Sequence, residues 1–139
     1  MNWLDDIKTE ELPELYQDIV RHIGLESTVR LAEHFSKLGF YFAEIKPGKP
    51  FSQDYEEMAA QIGIENTVKL AKYFRGQSVY FVGLAETLRQ KKREYITKNF
   101  TGNNHKELAR ATQYSEQWVY EILWDEQKKK RMARQLKLF

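Results

Sequence analysis

LPELYQDIVRHIGLESTVRLAEHFSKLGFYFA, residues 12–43, lies over FSQDYEEMAAQIGIENTVKLAKYFRGQSVYFV, residues 51–82, without a gap when the chain is shifted by 39 positions. Eleven of the 32 positions are identical, among them Tyr16/Tyr55, Gly24/Gly63, Thr28/Thr67, Phe35/Phe74, Tyr41/Tyr80 and Phe42/Phe81. Most other pairs are conservative, so the two stretches read as an internal repeat. Each copy has three parts. Tyr16, Ile19, Val20 and Ile23, like Tyr55, Met58, Ala59 and Ile62, are spaced i, i+3, i+4, i+7, the apolar face of a first helix. Gly24 and Gly63 end that helix. Val29, Ala32 and Phe35 match Val68, Ala71 and Phe74 on a second helix, with Ser27 or Asn66 expected as its N-cap and a stop near Lys37 or Gly76. GFYFAEI (39–45) and QSVYFVG (77–83) are aromatic and β-branched, which predicts a short strand in each copy.

A lone short strand leaves its backbone amides and carbonyls without partners. Two copies in one chain provide each strand with one, and pairing about a local pseudo-twofold axis is expected. PGKP (47–50) is the rigid linker, since proline stops both strand and helix. The fold class predicted is mainly α with a short two-stranded ribbon (α+β). Residues 1–82 are expected to form a duplicated, dimerisation-like domain with Trp3 and Leu4 packed as an arm. Residues 83–139 are expected to form a second domain.

That second domain opens on a helix from Leu84 to Asn99, with Leu84, Leu88, Tyr95, Ile96 and Phe100 inward and Arg89, Lys91, Lys92, Arg93 and Lys98 outward. TGNN (101–104) turns the chain into NHKELARATQYSEQWVYEILW (104–124). Here Leu108 and Ala109 share the buried face of a short helix, a break follows at Thr112-Gln113-Tyr114, and Ser115 caps a second helix. Val119, Ile122 and Leu123 form its inward stripe. This is the layout of a helix-turn-helix: Ala109 at the crossing, Tyr114 in the turn, Val119 and Ile122 as anchors. The turn position that favours glycine falls on Gln113, so a longer or differently bent turn is expected. Beyond Trp124, DEQKKKRMARQLKLF (125–139) reads as a continued or separate basic helix, with Met132, Leu136, Leu138 and Phe139 available to pack.

The net charge of +2 hides an asymmetry. Residues 83–139 carry 13 Lys+Arg against 7 Asp+Glu, a net +6, whereas residues 1–82 carry 9 against 13, a net −4. The basic half suits a polyanion. Cysteine is absent, which excludes disulfides, thiolate metal sites and cysteine nucleophiles. No apolar run is long enough for a membrane span and no leader pattern opens the chain, so a cytoplasmic protein is expected. His22, His34 and His105 belong to no metal-ligand spacing or nucleophile motif, and no phosphate-binding glycine loop occurs. Neither an enzyme nor a cofactor is expected.

Candidate base-facing residues on the recognition helix are Ser115, Glu116, Gln117, Tyr120 and Glu121. Gln117 leads them, because a carboxamide pairs bidentately with adenine. Trp118 is read as packing on the preceding helix. Phosphate contacts fall to Lys106, Arg110, Lys128, Lys129, Lys130, Arg131 and Arg134. Gln77 and Tyr80 are candidates to face a minor groove from the ribbon, although Tyr80 is equally a repeat position through Tyr41.

FRGQSVYF (74–81) and NFTGNNHKELARATQYSEQWVYEI (99–122) together resemble the Mor family of transcription activators from phage and phage-derived elements. The matching features are the turn Phe100-Thr101-Gly102-Asn103-Asn104, the pair Glu107-Leu108, and Val119-Tyr120 in the recognition helix; with the upstream block they cover about residues 51–139. The resemblance implies a helix-and-strand dimerisation domain followed by a helix-turn-helix. It further implies double-stranded DNA and RNA polymerase as partners. The chain departs from that pattern in one respect, carrying the dimerisation block twice and the helix-turn-helix once. Assembly as a homodimer and a single chain acting as a pseudo-dimer both remain open. The competing reading is a protein–protein interaction module of a mobile element without specific DNA readout.

Overall fold

The computed structural model of the protein describes residues 3–137. Among them, helices α1 (Glu14–Ile23) and α2 (Leu25–His34) lead into strand β1 (Leu38–Tyr41). The same series then recurs as α3 (Gln53–Ile62), α4 (Ile64–Tyr73) and β2 (Ser78–Phe81). Helices α5 (Ala85–Asn99), α6 (His105–Thr112) and α7 (Glu116–Lys137) follow, so the described residues are mainly helical with one small sheet. Two compact units result, one spanning Leu4–Thr87, the other running from Leu88 onward and including Trp3.

In the first unit a single glycine joins the two helices of each copy. Gly24 (φ 86°, ψ 165°) and Gly63 (φ 89°, ψ 158°) each end one helix and begin the next. Such dihedrals are open almost only to glycine, so the chain turns from one helix into the next within one residue. The N-caps expected at Ser27 and Asn66 are therefore corrected: both lie inside the second helices, whose starts at Leu25 and Ile64 follow the glycines directly. Thr28 and Thr67 stitch the corner instead, their buried hydroxyls donating to the Gly24 and Gly63 carbonyls at 2.7 and 2.8 Å.

The strands pair antiparallel with Leu38 opposite Phe81, Gly39 opposite Tyr80, Phe40 opposite Val79 and Tyr41 opposite Ser78. Phe40 and Val79 are repeat equivalents, so the pseudo-twofold axis passes between them. The contacts around it come in related pairs. The Lys37 amide donates to the Phe81 carbonyl at 2.7 Å, and the Gly76 amide to the Phe42 carbonyl at 2.8 Å. The Tyr16 hydroxyl donates to the Val82 carbonyl, and the Tyr55 hydroxyl to that of Ala43. Each copy's first helix is thus tied to the end of the other copy's strand. Helices follow suit, α1 packing on α4 and α2 on α3. Burial, with Tyr80 nearby, pushes the Tyr16 phenol up to about 12; burial, with Tyr41 nearby, raises Tyr55 likewise. Both phenols therefore stay protonated and donating at neutral pH.

Phe42 and Phe81 fill the centre, each fully buried, their rings 6.4 Å apart. Phe74 meets Phe42 at 5.1 Å and its repeat equivalent Phe35 meets Phe81 at 5.8 Å. One position breaks the symmetry in sequence. Gly76 turns the chain into β2 at φ 74°, and Lys37 adopts the same left-handed backbone at φ 65° in copy one. A side chain there costs about 1–2 kcal/mol, partly offset by glycine's greater freedom when unfolded. Lys37→Gly is therefore expected to stabilise the protein by about 0.5–1 kcal/mol, read as a raised urea midpoint with an unchanged m-value. A lower midpoint would show that the lysine stem packs usefully.

Candidate nucleic-acid interface

The second unit is built on a small core of Ile96, Leu108, Val119, Ile122 and Leu123, with Tyr95, Phe100, Ala109 and Tyr114 packed around it. The crossing, turn and anchor residues expected from sequence are therefore together. The inward stripe read along the connecting helix is shared out differently: Leu84 belongs to the core of the repeat unit and Ile96 to this one. Trp3 meets the Tyr95 ring edge-on at 5.2 Å. In the turn before α6, the Asn104 side chain accepts from the Thr101 amide and donates to the Asn99 carbonyl, both at 2.9 Å.

The turn between α6 and α7 spans residues 113–115, and it is not lengthened. Gln113 itself takes the left-handed conformation, φ 62° and ψ 19°, that glycine would take more cheaply. Thr112, fully buried, locks the corner: its hydroxyl donates to the Leu108 carbonyl at 2.8 Å and accepts from the Tyr114 amide at 3.3 Å. Ser115 caps α7, accepting from the Trp118 amide at 3.1 Å.

Helix α7 runs unbroken from Glu116 to Lys137, so the basic tail continues the recognition helix. Its N-terminal half turns Val119, Ile122 and Leu123 inward. Gln117, Glu121, Trp124, Lys128 and Arg131 follow at alternating steps of four and three residues, one outward face, with Tyr120 beside them. Gln117 and Glu121 are exposed, as are Tyr120 (49%) and Trp124 (64%). Glu116 is exposed too, but points about 100° around the helix from that line, on the side of Tyr120. Around this face lies an open groove of about 640 Å³ lined by Gln117, Trp118, Tyr120, Glu121, Trp124 and the Arg93–Asp125 pair, among others.

Three features of the face had no signal in the sequence. His105 lies parallel to Tyr120, the ring centroids 3.8 Å apart, with Phe100 edge-on to the histidine at 4.9 Å, so α6 orients a recognition-helix tyrosine. Trp124 extends the face by a turn, and the Lys128 ammonium sits 5.3 Å above its ring. Arg93 on α5 binds Asp125 and, at 2.7 Å, Glu126 on α7, clamping the two helices together. That guanidinium hydrogen bond, with Lys129 beside it, holds the Asp125 carboxyl below the usual range.

The candidate cations divide. Lys106, Arg110, Lys128, Lys130, Arg131 and Arg134 are exposed. Lys129 is also exposed, yet its ammonium lies 3.5 Å from Asp125 and 3.8 Å from Glu126. Trp118 is 45% exposed and meets the Tyr114 ring, just after α6, edge-on with centroids 6.5 Å apart. Met132 and Leu136, available to pack, stand 56% and 78% exposed because α7 outruns its core; Leu138 and Phe139 lie outside the described residues. In the ribbon, Tyr80 is 57% exposed, as is its counterpart Tyr41 at 60%. Gln77, just before β2, is exposed.

Residues 48–138 match the family described as the Mor transcription activator family. The chain belongs to that family. This makes it a member of a family of transcription activators, not of enzymes. The match begins at the linker, so copy one lies upstream of what the family pattern covers. No curated protein and no solved structure matched the chain. No helix among the described residues is long and apolar enough to cross a membrane. No group of three or more metal-ligating side chains is gathered among them.

Proposed function

We propose that the protein is a cytoplasmic, sequence-specific activator that binds double-stranded DNA through α6 and α7 and recruits RNA polymerase. The observation that carries the reading is the outward face of α7. It is a capped helix held by a buried threonine corner, presenting Gln117, Tyr120, Glu121 and Trp124 ahead of a run of cations. A helix held this way enters the major groove with its first turns against base edges. Gln117 reads adenine, Glu121 accepts from a cytosine amine, and Tyr120, backed by His105, meets a phosphate or a thymine methyl. Lys106, Arg110, Lys128, Lys130, Arg131 and Arg134 neutralise phosphates. The exposed Tyr80 and Gln77 supply a second contact, in a minor groove. Met132 and Leu136, on the free end of α7, offer apolar surface for a protein partner such as the polymerase.

The test is the Gln117→Ala variant against the preferred duplex and its single-base variants. Loss of about 1–3 kcal/mol, confined to one base position, is expected. Unchanged affinity and unchanged preference would favour a protein-docking surface in place of a DNA reader.

A further inference from the structure

We infer that this activator works as a single-headed monomer and that its DNA target is one asymmetric half-site, not an inverted repeat. The inference rests on the DNA-binding reading above and adds the stoichiometry and the symmetry class of the target.

Helix-turn-helix proteins commonly pair two heads through a twofold interface and so read two inverted half-sites about one helical turn apart. Here the place of the twofold is already taken within one chain. The axis runs between Phe40 and Val79, which oppose one another in the ribbon. Around it four hydrogen bonds between the copies form reciprocal pairs: Lys37 to Phe81 and Gly76 to Phe42, Tyr16 to Val82 and Tyr55 to Ala43. A second chain therefore finds the paired edge of β2 occupied by β1, and the aromatic core beneath it filled by Phe42 and Phe81.

Two chains could use these surfaces only by opening the ribbon and exchanging copies. Residues 42–52 between β1 and α3 form the connection. A short tether gives its two ends an effective concentration of order millimolar, so closure within the chain outcompetes exchange at micromolar protein. Among its described residues each closed chain carries one helix-turn-helix.

A single head forgoes the affinity of a second. The free end of α7 answers that loss. Residues 127–137 are exposed along the described length and contain no acid; besides Lys129, which faces Asp125 and Glu126, they hold Lys128, Lys130, Arg131, Arg134 and Lys137. Two such arms repel one another, whereas one arm along a phosphate backbone supplies affinity without sequence preference.

The test joins two measurements on the full chain. Sedimentation velocity over a hundredfold concentration range is expected to give one species at 16.6 kDa. Selection from a random duplex pool is expected to yield a motif without twofold symmetry, bound one chain per duplex. Placing that motif as an inverted repeat should raise affinity no more than the statistical twofold. A species of twice the monomer mass, or a palindromic motif filled cooperatively by two chains, would overturn the inference. Recovery of no motif, with no binding to any duplex, would overturn the DNA reading and the target class together, while the mass would still decide whether the ribbon closes within one chain.

Discussion

Phe81→Ala lowers the stability of the repeat unit by about 3–5 kcal/mol, the cost of emptying a fully buried aromatic site. The side chain is 0% exposed and, from copy two, meets four rings of copy one: Tyr16, Phe35, Phe40 and Phe42. Its relaxation is limited because Phe40 and Phe42 are pinned by strand pairing and Tyr16 by its hydrogen bond to the Val82 carbonyl. The pseudo-symmetry adds a sharper expectation. Phe42 occupies the equivalent site, also 0% exposed, so Phe42→Ala should cost the same to within the scatter of such measurements. The two rings are 6.4 Å apart, so the double variant should fall short of or exceed the sum. Against a whole-domain stability of about 5–15 kcal/mol, either single change leaves little margin. Urea unfolding followed by far-ultraviolet circular dichroism measures this. A loss under about 1 kcal/mol for one residue and several for the other would show that the copies do not share a common core.

Removing Lys128 and Arg131 together flattens the salt dependence of DNA binding, whereas removing Lys129 does not. Each phosphate neutralised contributes about 0.9 to the slope of log affinity against log salt, so the double alanine variant should lose about 1.8. Near physiological salt the same two contacts amount to about thirtyfold in affinity. Lys128 and Arg131 continue the face that begins at Gln117, and both are exposed. Lys129 carries the same charge one residue away, but its ammonium faces Asp125 and Glu126. Titrations at four salt concentrations separate the cases. Equal slope changes for all three side chains would mean that the basic run acts as a diffuse charge and that the helix face has no part in positioning it.

Much of this architecture was legible because its signals are periodic or repeated. The apolar positions Tyr16, Ile19 and Ile23 recur 39 residues later, and two such copies with one short strand each leave pairing as the way to satisfy the backbone. Ala109, Tyr114, Val119 and Ile122 likewise announced the helix-turn-helix by spacing. What escaped the reading depends on backbone angles or on contacts distant in sequence. Ser27 and Asn66 have the chemistry of caps, yet the glycine between the two helices of each copy serves both helix ends at once. Gln113 adopts a glycine-like angle because Thr112 braces the turn. The His105–Tyr120 stack and the Arg93 clamp join residues 15 and about 32 positions apart, with no local pattern to betray them. Met132 and Leu136 are available to pack by their chemistry, and a helix that outlasts its core leaves them exposed.

The most direct test of the account is a fluorescence-anisotropy titration of the full chain with duplex DNA at several salt concentrations, comparing random sequence with the region upstream of the neighbouring operon. The account predicts saturable binding that weakens steeply with salt and prefers one duplex. Flat, negligible binding to every duplex at low salt would contradict it.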